Sequence, residues 1–250
     1  MSKVLVVGDS CMDRYIYGDC PRLCPDAPVP VFSPSHEKEN MGMAGNVHKN
    51  LIALGVNSTL ITNPTLPSKT RYVDEATNHI LIRVDSGEKF IKNTNKLEKT
   101  FLEKFEAIIL SDYNKGFLKE ADIRYICQSH PCVFLDTKKI ISDFCKDAKF
   151  IKINQFEYAN SFVNFHNPSK EWVKEKLIIT KGRKGCVFNG KIYPVSKVEI
   201  RDFSGAGDTF LAGLVCEYLD TENLDKAIKF ANQCATIVVQ KKGVSTIKEI

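Results

Sequence analysis

Apolar residues fall along this chain in two alternating rhythms. Short runs rich in aliphatic and β-branched residues read as buried strands: Val4 to Val7, Ser58 to Ile61, Ala107 to Leu110, Val133 to Leu135, Phe150 to Ile153 and Leu177 to Ile179. Between several of them, helical patterns cover Asn46 to Leu54, Leu97 to Phe105, Glu120 to Cys127 and Ser169 to Lys176. Such alternation predicts an α/β fold, layered α/β/α, with a mostly parallel central sheet. Ligands of such sheets sit beyond the carboxyl ends of the strands. The polar residues that follow the strands are therefore the first candidates: Asp9 and Asp13, Ser111 and Asp112, Asp136 with Lys138, Asn154 and Glu157, and Thr180 through Gly182.

Two stretches break the alternation. Tyr15 to Gly18 and Val29 to Phe32 read as short strands, as do Thr70 to Val73 and Ile80 to Val84, the last two joined as a hairpin with Asn78 in its turn. Strands without covering helices predict a small β-layer over the site, serving as a lid or an oligomer contact. No internal repeat, low-complexity tract or linker interrupts the pattern. Residues 1–250 thus read as one domain, with lid strands drawn from about 14–34 and 69–85.

The last strong helical pattern carries the chemistry. Leu211, Leu214, Val215, Tyr218 and Leu219 recur at spacings of three and four, so a helix begins close to Gly205 in Asp202-Phe203-Ser204-Gly205-Ala206-Gly207-Asp208-Thr209. Glycines let the backbone turn tightly against a ligand, and the first amides of the helix point outward at the positive end of its dipole. That is an anion cradle. A carboxylate at Asp208 would repel a phosphate there, unless it takes a proton from a hydroxyl while the amides hold the phosphoryl group under attack. Phosphoryl transfer to an alcohol resolves the conflict. The alternative is purely structural: glycine turns open many helices, and Asp in a first turn is favoured by the dipole alone.

Composition excludes more than it adds. The net charge of +5 is modest and the lysines are dispersed, which argues against a nucleic-acid partner and suits anionic small molecules. Nine cysteines occur without a Cys-x-x-Cys pair or a nearby His set, so they read as small buried hydrophobes in a reducing compartment. Cys11, near the predicted site, is read as packing. The run Lys3 to Gly8 is too short for a signal peptide or a membrane span, which predicts a cytoplasmic protein.

Three motifs together resemble the ribokinase-like (PfkB) carbohydrate kinases. The segment 202–209 looks like that family's second signature, Asn154-Gln155-Phe156-Glu157 its N-x-x-E motif, and Gly42-Met43-Ala44-Gly45-Asn46 its first signature. Within the family, Gly8 to Gly18, Pro25 to Val31, Ser111-Asp112-Tyr113-Asn114-Lys115-Gly116 and Val238 to Thr246 resemble the bacterial D-glycero-D-manno-heptose 7-phosphate kinases. No H-x-G-H of an attached nucleotidyltransferase occurs, so the resemblance covers the kinase part. It implies a ribokinase-like fold, and ATP and Mg2+ as cofactors. The implied reaction phosphorylates the anomeric hydroxyl of the heptose 7-phosphate to give the 1,7-bisphosphate.

The resemblance also assigns roles. Asp208 would be the base, with Gly205, Ala206 and Gly207 as the anion hole. Asp13, Gly42 and Asn46 would hold the sugar, and Arg14, Arg71, Lys138 and Arg83 are candidates for its phosphate. Asn154 and Glu157 would organise Mg2+, Glu157 through water. Thr180, Lys181 and Gly182 would lie beside the nucleotide, Asn232 and Gly243 near adenine, and Asp202 near a monovalent cation such as K+. A homodimer through the lid is implied as well. Structural alternatives stand beside these roles: Asp13 as a turn brace, Asn154 with Glu157 as a capping box, and Arg83 with Asp85 as a solvated pair. His36, His48, His79, His130 and His166 share no motif and receive no chemistry.

The chain departs from the family pattern in three places. Met43 replaces a glycine of the first signature, and Ser204 replaces a threonine. After Thr62, a βα unit of about 25 residues is missing before Lys69. Two alternatives follow: a kinase of another sugar or sugar phosphate, and a catalytically silent nucleotide- or sugar-binding homologue. A Rossmann dinucleotide site would need G-x-G-x-x-G after the first strand, which is absent.

Overall fold

A computed structural model describes residues 2–87, 97–164, 171–241 and 243–247. His166, Ser169 and Lys242, quoted above, lie outside them. In chain order the strands and helices are β1 (Lys3–Gly8), β2 (Ser10–Leu23), β3 (Pro30–Met43), α1 (Ala44–Ala53), β4 (Asn57–Thr62), β5 (Ser68–Asp74) and β6 (Ile80–Ser86). Then come α2 (Lys99–Leu102), β7 (Ala107–Asp112), α3 (Glu120–Ser129), β8 (Val133–Thr137), β9 (Phe150–Asn154), α4 (Gln155–Tyr158) and α5 (Glu171–Lys176). The remaining elements are β10 (Leu177–Thr180), β11 (Cys186–Phe188), β12 (Lys191–Tyr193), α6 (Ala206–Thr221) and α7 (Leu224–Val238).

Eight strands form one sheet in the order β12-β11-β10-β9-β8-β7-β1-β4. Pairings from β4 through to β10 are parallel, and only β11 and β12 run antiparallel at the far edge. Strand alternation sorts the core into two layers. Leu5, Val7, Ile108, Leu110, Val133 and Leu135 face α2, α3 and α5. Val4, Val6, Ile109 and Phe134 face α1, α6 and α7. Each fully buried aliphatic side chain stabilises by roughly 1.5–3 kcal/mol, enough to fix every strand's register.

The lid is a four-stranded sheet, β3-β2-β5-β6. Its strands are longer than the apolar pattern suggests. β3 runs through the polar segment 33–40, because it is held by antiparallel pairing to β2 rather than by burial. Helix α2 is shorter than its pattern: one turn buries Leu102 and Phe105, and the chain then feeds β7.

The missing unit leaves a specific trace. β4 stands at the sheet edge, and residues 63–67 lead straight into lid strand β5. Buried Asn63 staples this short link: its Oδ1 accepts from the Ser10 amide at 2.7 Å, and its Nδ2 donates to the Ser10 and Thr65 carbonyls at 3.1 and 2.7 Å. Met43, at the junction of β3 and α1, is buried with φ 61° and ψ −131°. A side chain in that region costs on the order of 1–3 kcal/mol, which explains why glycine suits the position.

Candidate active site

The carboxyl ends of β7, β8 and β9 and the start of α6 converge on one cavity of about 750 Å³. Gly205 caps α6 in a left-handed conformation, φ 77°. A Cβ there would lie 2.5 Å from the Asn46 amide nitrogen, so both backbone and packing demand glycine. Gly205, Ala206, Gly207 and Asp208 all line the cavity. The first-turn amides have no intrahelical acceptor.

Asp208 is buried, 4% exposed, and both of its oxygens are engaged. Oδ2 accepts from Asn46 Nδ2 at 3.0 Å, and Oδ1 accepts from the Tyr113 hydroxyl at 2.7 Å. Asn50 sets the Asn46 amide by donating to its Oδ1 at 3.0 Å, which turns the NH2 group toward Asp208. Burial pushes the Asp208 carboxyl up to about 6, against the opposing pull of Asn46, Tyr113 and Lys152. That value suits a base working near neutral pH.

Beneath the first turn of α6 lies an ion pair. Lys152 on β9 and Asp136 on β8 are paired across the ladder, Nζ to Oδ2 at 2.6 Å, and are 4% and 3% exposed. They occupy the sheet face where Phe134 and Phe150 meet the α6 layer. Lys152 Nζ would touch a Cβ on Gly207, at 3.0 Å, and Asp136 Oδ1 is buried without a hydrogen-bond partner among the described residues. A buried ion pair at this depth seldom improves stability over apolar packing, so its place at a cavity floor points to chemistry.

The N-x-x-E segment forms a reciprocal capping box on α4. Asn154 Oδ1 accepts from the Glu157 amide at 2.9 Å, and Glu157 Oε2 accepts from the Asn154 amide at 2.7 Å. The structural alternative for these residues is thus realised, and Lys138 adds to it an ion pair with Glu157 Oε1. Lys138 also lies over the Tyr113 ring, 5.1 Å from its centroid. It faces both the main cavity and a second one of about 500 Å³, lined by Glu157.

The other end of the main cavity is apolar, with Val195, Val198, Ile200, Ala235 and Val239. Thr180, Gly182 and Asn232 line it, whereas Lys181 does not. Asn232 Nδ2 is bound to the Tyr193 carbonyl at 3.0 Å. Arg183, to which the sequence reading gave no role, lines the cavity and lies over the Phe203 ring at 5.8 Å.

Of the expected sugar residues, Asn46 is bonded to Asp208, whereas Asp13 and Gly42 form a separate group with Arg71 under the four-stranded sheet. Asp13 accepts from Arg71 Nη1 at 2.6 Å, and both are buried. Gly42 is required here, because a Cβ would lie 2.1 Å from Asp13 Oδ2. Cys11 stands between the two groups. Its thiol is pushed up to about 12 by burial first and then by the charge of Asp13, with Asp208 adding to it, so it packs rather than attacks.

Four further expected residues do not line the main cavity. Arg14 points to the opposite strand face from Asp13 and pairs with Glu37 and Glu39 at 3.2 and 2.6 Å. Arg83 is engaged by Asp85 at 2.6 Å, the solvated pair anticipated as its alternative. Gly243 lies against the Tyr15 ring and donates its amide to Asp202 Oδ2 at 3.1 Å, away from the apolar end of the cavity. Asp202 Oδ1 takes the Ser204 amide at 2.8 Å, so this carboxylate braces the loop that leads into α6.

Asp9 is likewise a brace: it accepts backbone amides from Tyr113, Lys115 and Phe117 at 2.8, 3.5 and 3.3 Å. It thereby holds the loop after β7 in which Tyr113 sits. Neither Tyr113 nor Lys152 received a role from the sequence. Tyr113 entered only as part of the segment Ser111 to Gly116, just after a strand end, and Lys152 was signalled only by its place two residues before Asn154.

Residues 71–250 match the family described as pfkB family carbohydrate kinase. The chain belongs to the pfkB family of carbohydrate kinases. Membership places this pfkB protein among the ATP-dependent sugar kinases. It is similar to the bifunctional protein HldE of a Nitratiruptor species, 30% identical over 293 residues, which cover 98% of this chain and 63% of that protein. The HldE protein of Helicobacter pylori is 32% identical over 306 residues, covering 100% of this chain and 66% of that protein. The chain therefore spans less than two thirds of these relatives' length. The alignments are longer than its own 250 residues, so the relatives carry extra residues inside the matched span.

Solved structures share the fold. Ribokinase from Thermotoga maritima gives a TM-score of 0.71 at 16% identity, covering 98% of this chain and 95% of that one. Arabidopsis thaliana ribokinase, complexed with ribose and ATP, gives 0.69 at 14% identity over 98% of this chain and 94% of that one. Among the described residues no helix is long and apolar enough to cross a membrane.

Proposed function

We propose that this pfkB protein is an active kinase of a phosphorylated heptose, in one domain, with Asp208 as the base. The observation that carries the reading is Asp208 itself: a buried carboxylate, pushed up to about 6, at the mouth of a glycine anion hole. A silent binding protein has no use for that arrangement. Asp208 would take the proton from the sugar hydroxyl as its oxygen attacks the terminal phosphorus. The amides of the 205–208 turn and Lys152 would receive the charge spreading over the phosphoryl oxygens.

Glu157, the carboxylate that the resemblance assigns to a hydrated magnesium ion, lines the second cavity beside Lys138, which faces both cavities. A magnesium ion keeps most of its waters, so it would meet Glu157 through one of them, while Asp136 stays buried against Lys152. When bound, the ion neutralises phosphate charge. The apolar end of the cavity suits a nucleobase.

The heptose phosphate rests on the motif resemblance, and the similarity to HldE proteins supports that branch. Of the basic residues first considered for the substrate phosphate, Arg14, Arg71, Arg83 and Lys138 are all held by carboxylates. Lys69, in register with Asp13 on β5, makes no ion pair among the described residues, and it acts electrostatically on Cys11. We assign it the sugar's phosphate. Lys69→Met is expected to raise KM for the phosphorylated sugar about tenfold with little change in kcat, and the effect should shrink at high salt. An unchanged KM would remove Lys69 from this role.

The reading also pairs two copies through the lid, where Ile80, Leu81, Ile82 and Val84 of β6 are exposed. Sedimentation of the parent against Ile82→Lys tests that arrangement. The main test is ADP release from MgATP with heptose 7-phosphate, fructose 6-phosphate and ribose. Release stimulated chiefly by the heptose supports the proposal. Stimulation by another sugar keeps the kinase and moves the cause to Met43 and the shortened 62–68 link. No stimulation by any sugar, with ATP still bound, would favour a binding protein.

A further inference from the structure

Both carboxylate oxygens of Asp208 are held by side chains, and the two holders differ in how they are anchored. Asp208 Oδ2 is held by Asn46, which is itself fixed by Asn50, so that side does not open without moving α1. Oδ1 is held by Tyr113, whose ring lines the cavity in front of it. The Tyr113 backbone is pinned by Asp9, and Lys138 covers the ring. With the backbone pinned, rotation about the side-chain torsion is the motion by which the hydroxyl would leave the carboxylate.

We propose that Tyr113 is a positioning residue that keeps Asp208 from activating water until the sugar hydroxyl displaces it. The inference rests on Asp208 being the base. The reaction it suppresses is hydrolysis. A water oxygen attacks the terminal phosphorus, the bond to the leaving ADP oxygen breaks, and the water proton passes to Asp208, giving ADP and phosphate. Burial and the neighbouring Asp208 push the phenol well above its ordinary value, so it stays protonated, donates to the carboxylate and does not serve as a base in its own right. Kinases that use a hydroxyl acceptor must exclude water, the smaller competitor, and a mobile donor on the base does so without a closed lid.

The test is ADP release from MgATP without sugar. Tyr113→Phe removes the hydroxyl and keeps the ring, and it is expected to raise this rate about tenfold or more, the worth of one hydrogen bond to a charged group. The ratio of sugar-dependent to sugar-independent turnover should fall accordingly. Asp208→Asn added to Tyr113→Phe should return the rate to the parent background. A merely structural loss would lower both rates instead. An unchanged or lower sugar-free rate in a folded Tyr113→Phe protein overturns the proposal, as does a raised rate that persists without Asp208. If Asp208→Asn alone keeps sugar-dependent turnover, the fault lies with the base assignment instead. A measurement on the parent covers a Tyr113→Phe protein that does not fold. The ring-carbon resonance of 13C-labelled Tyr113, assigned with Tyr113→Leu, should shift when sugar is added without ATP. A resonance that stays in place overturns the displacement.

Discussion

Asp208→Asn is expected to lower sugar-dependent turnover by about 10²–10⁴-fold while MgATP still binds, the range for removing a positioned general base. The asparagine keeps the shape and can still bond to Asn46 and Tyr113, but it accepts no proton. Turnover within a few-fold of the parent would refute the assignment. The pH profile supplies a second check. Asp208 is useful only when ionised, and burial raises it from 3.8 to about 6, so kcat/KM should fall as pH drops through about 6.

Stability should move the other way. A carboxyl raised on folding contributes fully below its unfolded value near 3.8, and the contribution is lost as pH rises through about 6. At neutral pH the charged form therefore costs on the order of 3 kcal/mol. Asp208→Asn removes that cost, so its Tm at pH 7.5 should rise, by about 2–4 °C for each kcal/mol recovered. The same variant thus loses activity and gains stability, the mark of a site strained for function.

The second large effect concerns Lys152. Lys152→Met is expected to reduce kcat by about 10²–10³-fold, the usual loss when one donor to the developing charge is removed. It also leaves Asp136 buried and alone, which should destabilise the fold by about 3–5 kcal/mol. A fall in activity by itself would therefore be ambiguous. The double variant Asp136→Leu/Lys152→Met separates the two effects, because replacing both partners with apolar groups removes the stranded charge. Its Tm should return to within a few degrees of the parent, while its kcat stays low. Recovery of both would show that the pair is structural only.

Much of this molecule was legible from periodicity. The six core strands lie where short apolar runs place them, since a buried strand needs both faces apolar and its residues alternate between two layers. The start of α6 near Gly205 followed from the spacing of Leu211, Leu214 and Val215, and the tight turn that opens it from the glycines before it. Local motifs of this kind depend on neighbours in sequence, so sequence carries them.

Contacts across the sheet were decided only by the tertiary structure. The charges of Arg14 and Arg71 look equivalent in a list of residues, yet strand alternation sends one outward to Glu37 and Glu39 and the other inward to Asp13. The length of β3 was hidden because pairing with β2, not burial, holds its polar half. Lys152 reads as one lysine among many until register sets it beside Asp136 and beneath Gly207. Tyr113, 95 residues from Asp208, meets it because β7 ends and α6 begins at the same end of the sheet. By itself the sequence determined the fold class, the glycine turn that opens α6 and the choice of Asp208 as candidate base. Which charges are spent on one another, and what holds the base, depends on long-range packing, because a side chain's partners are set by register and strand order rather than by its neighbours in the chain.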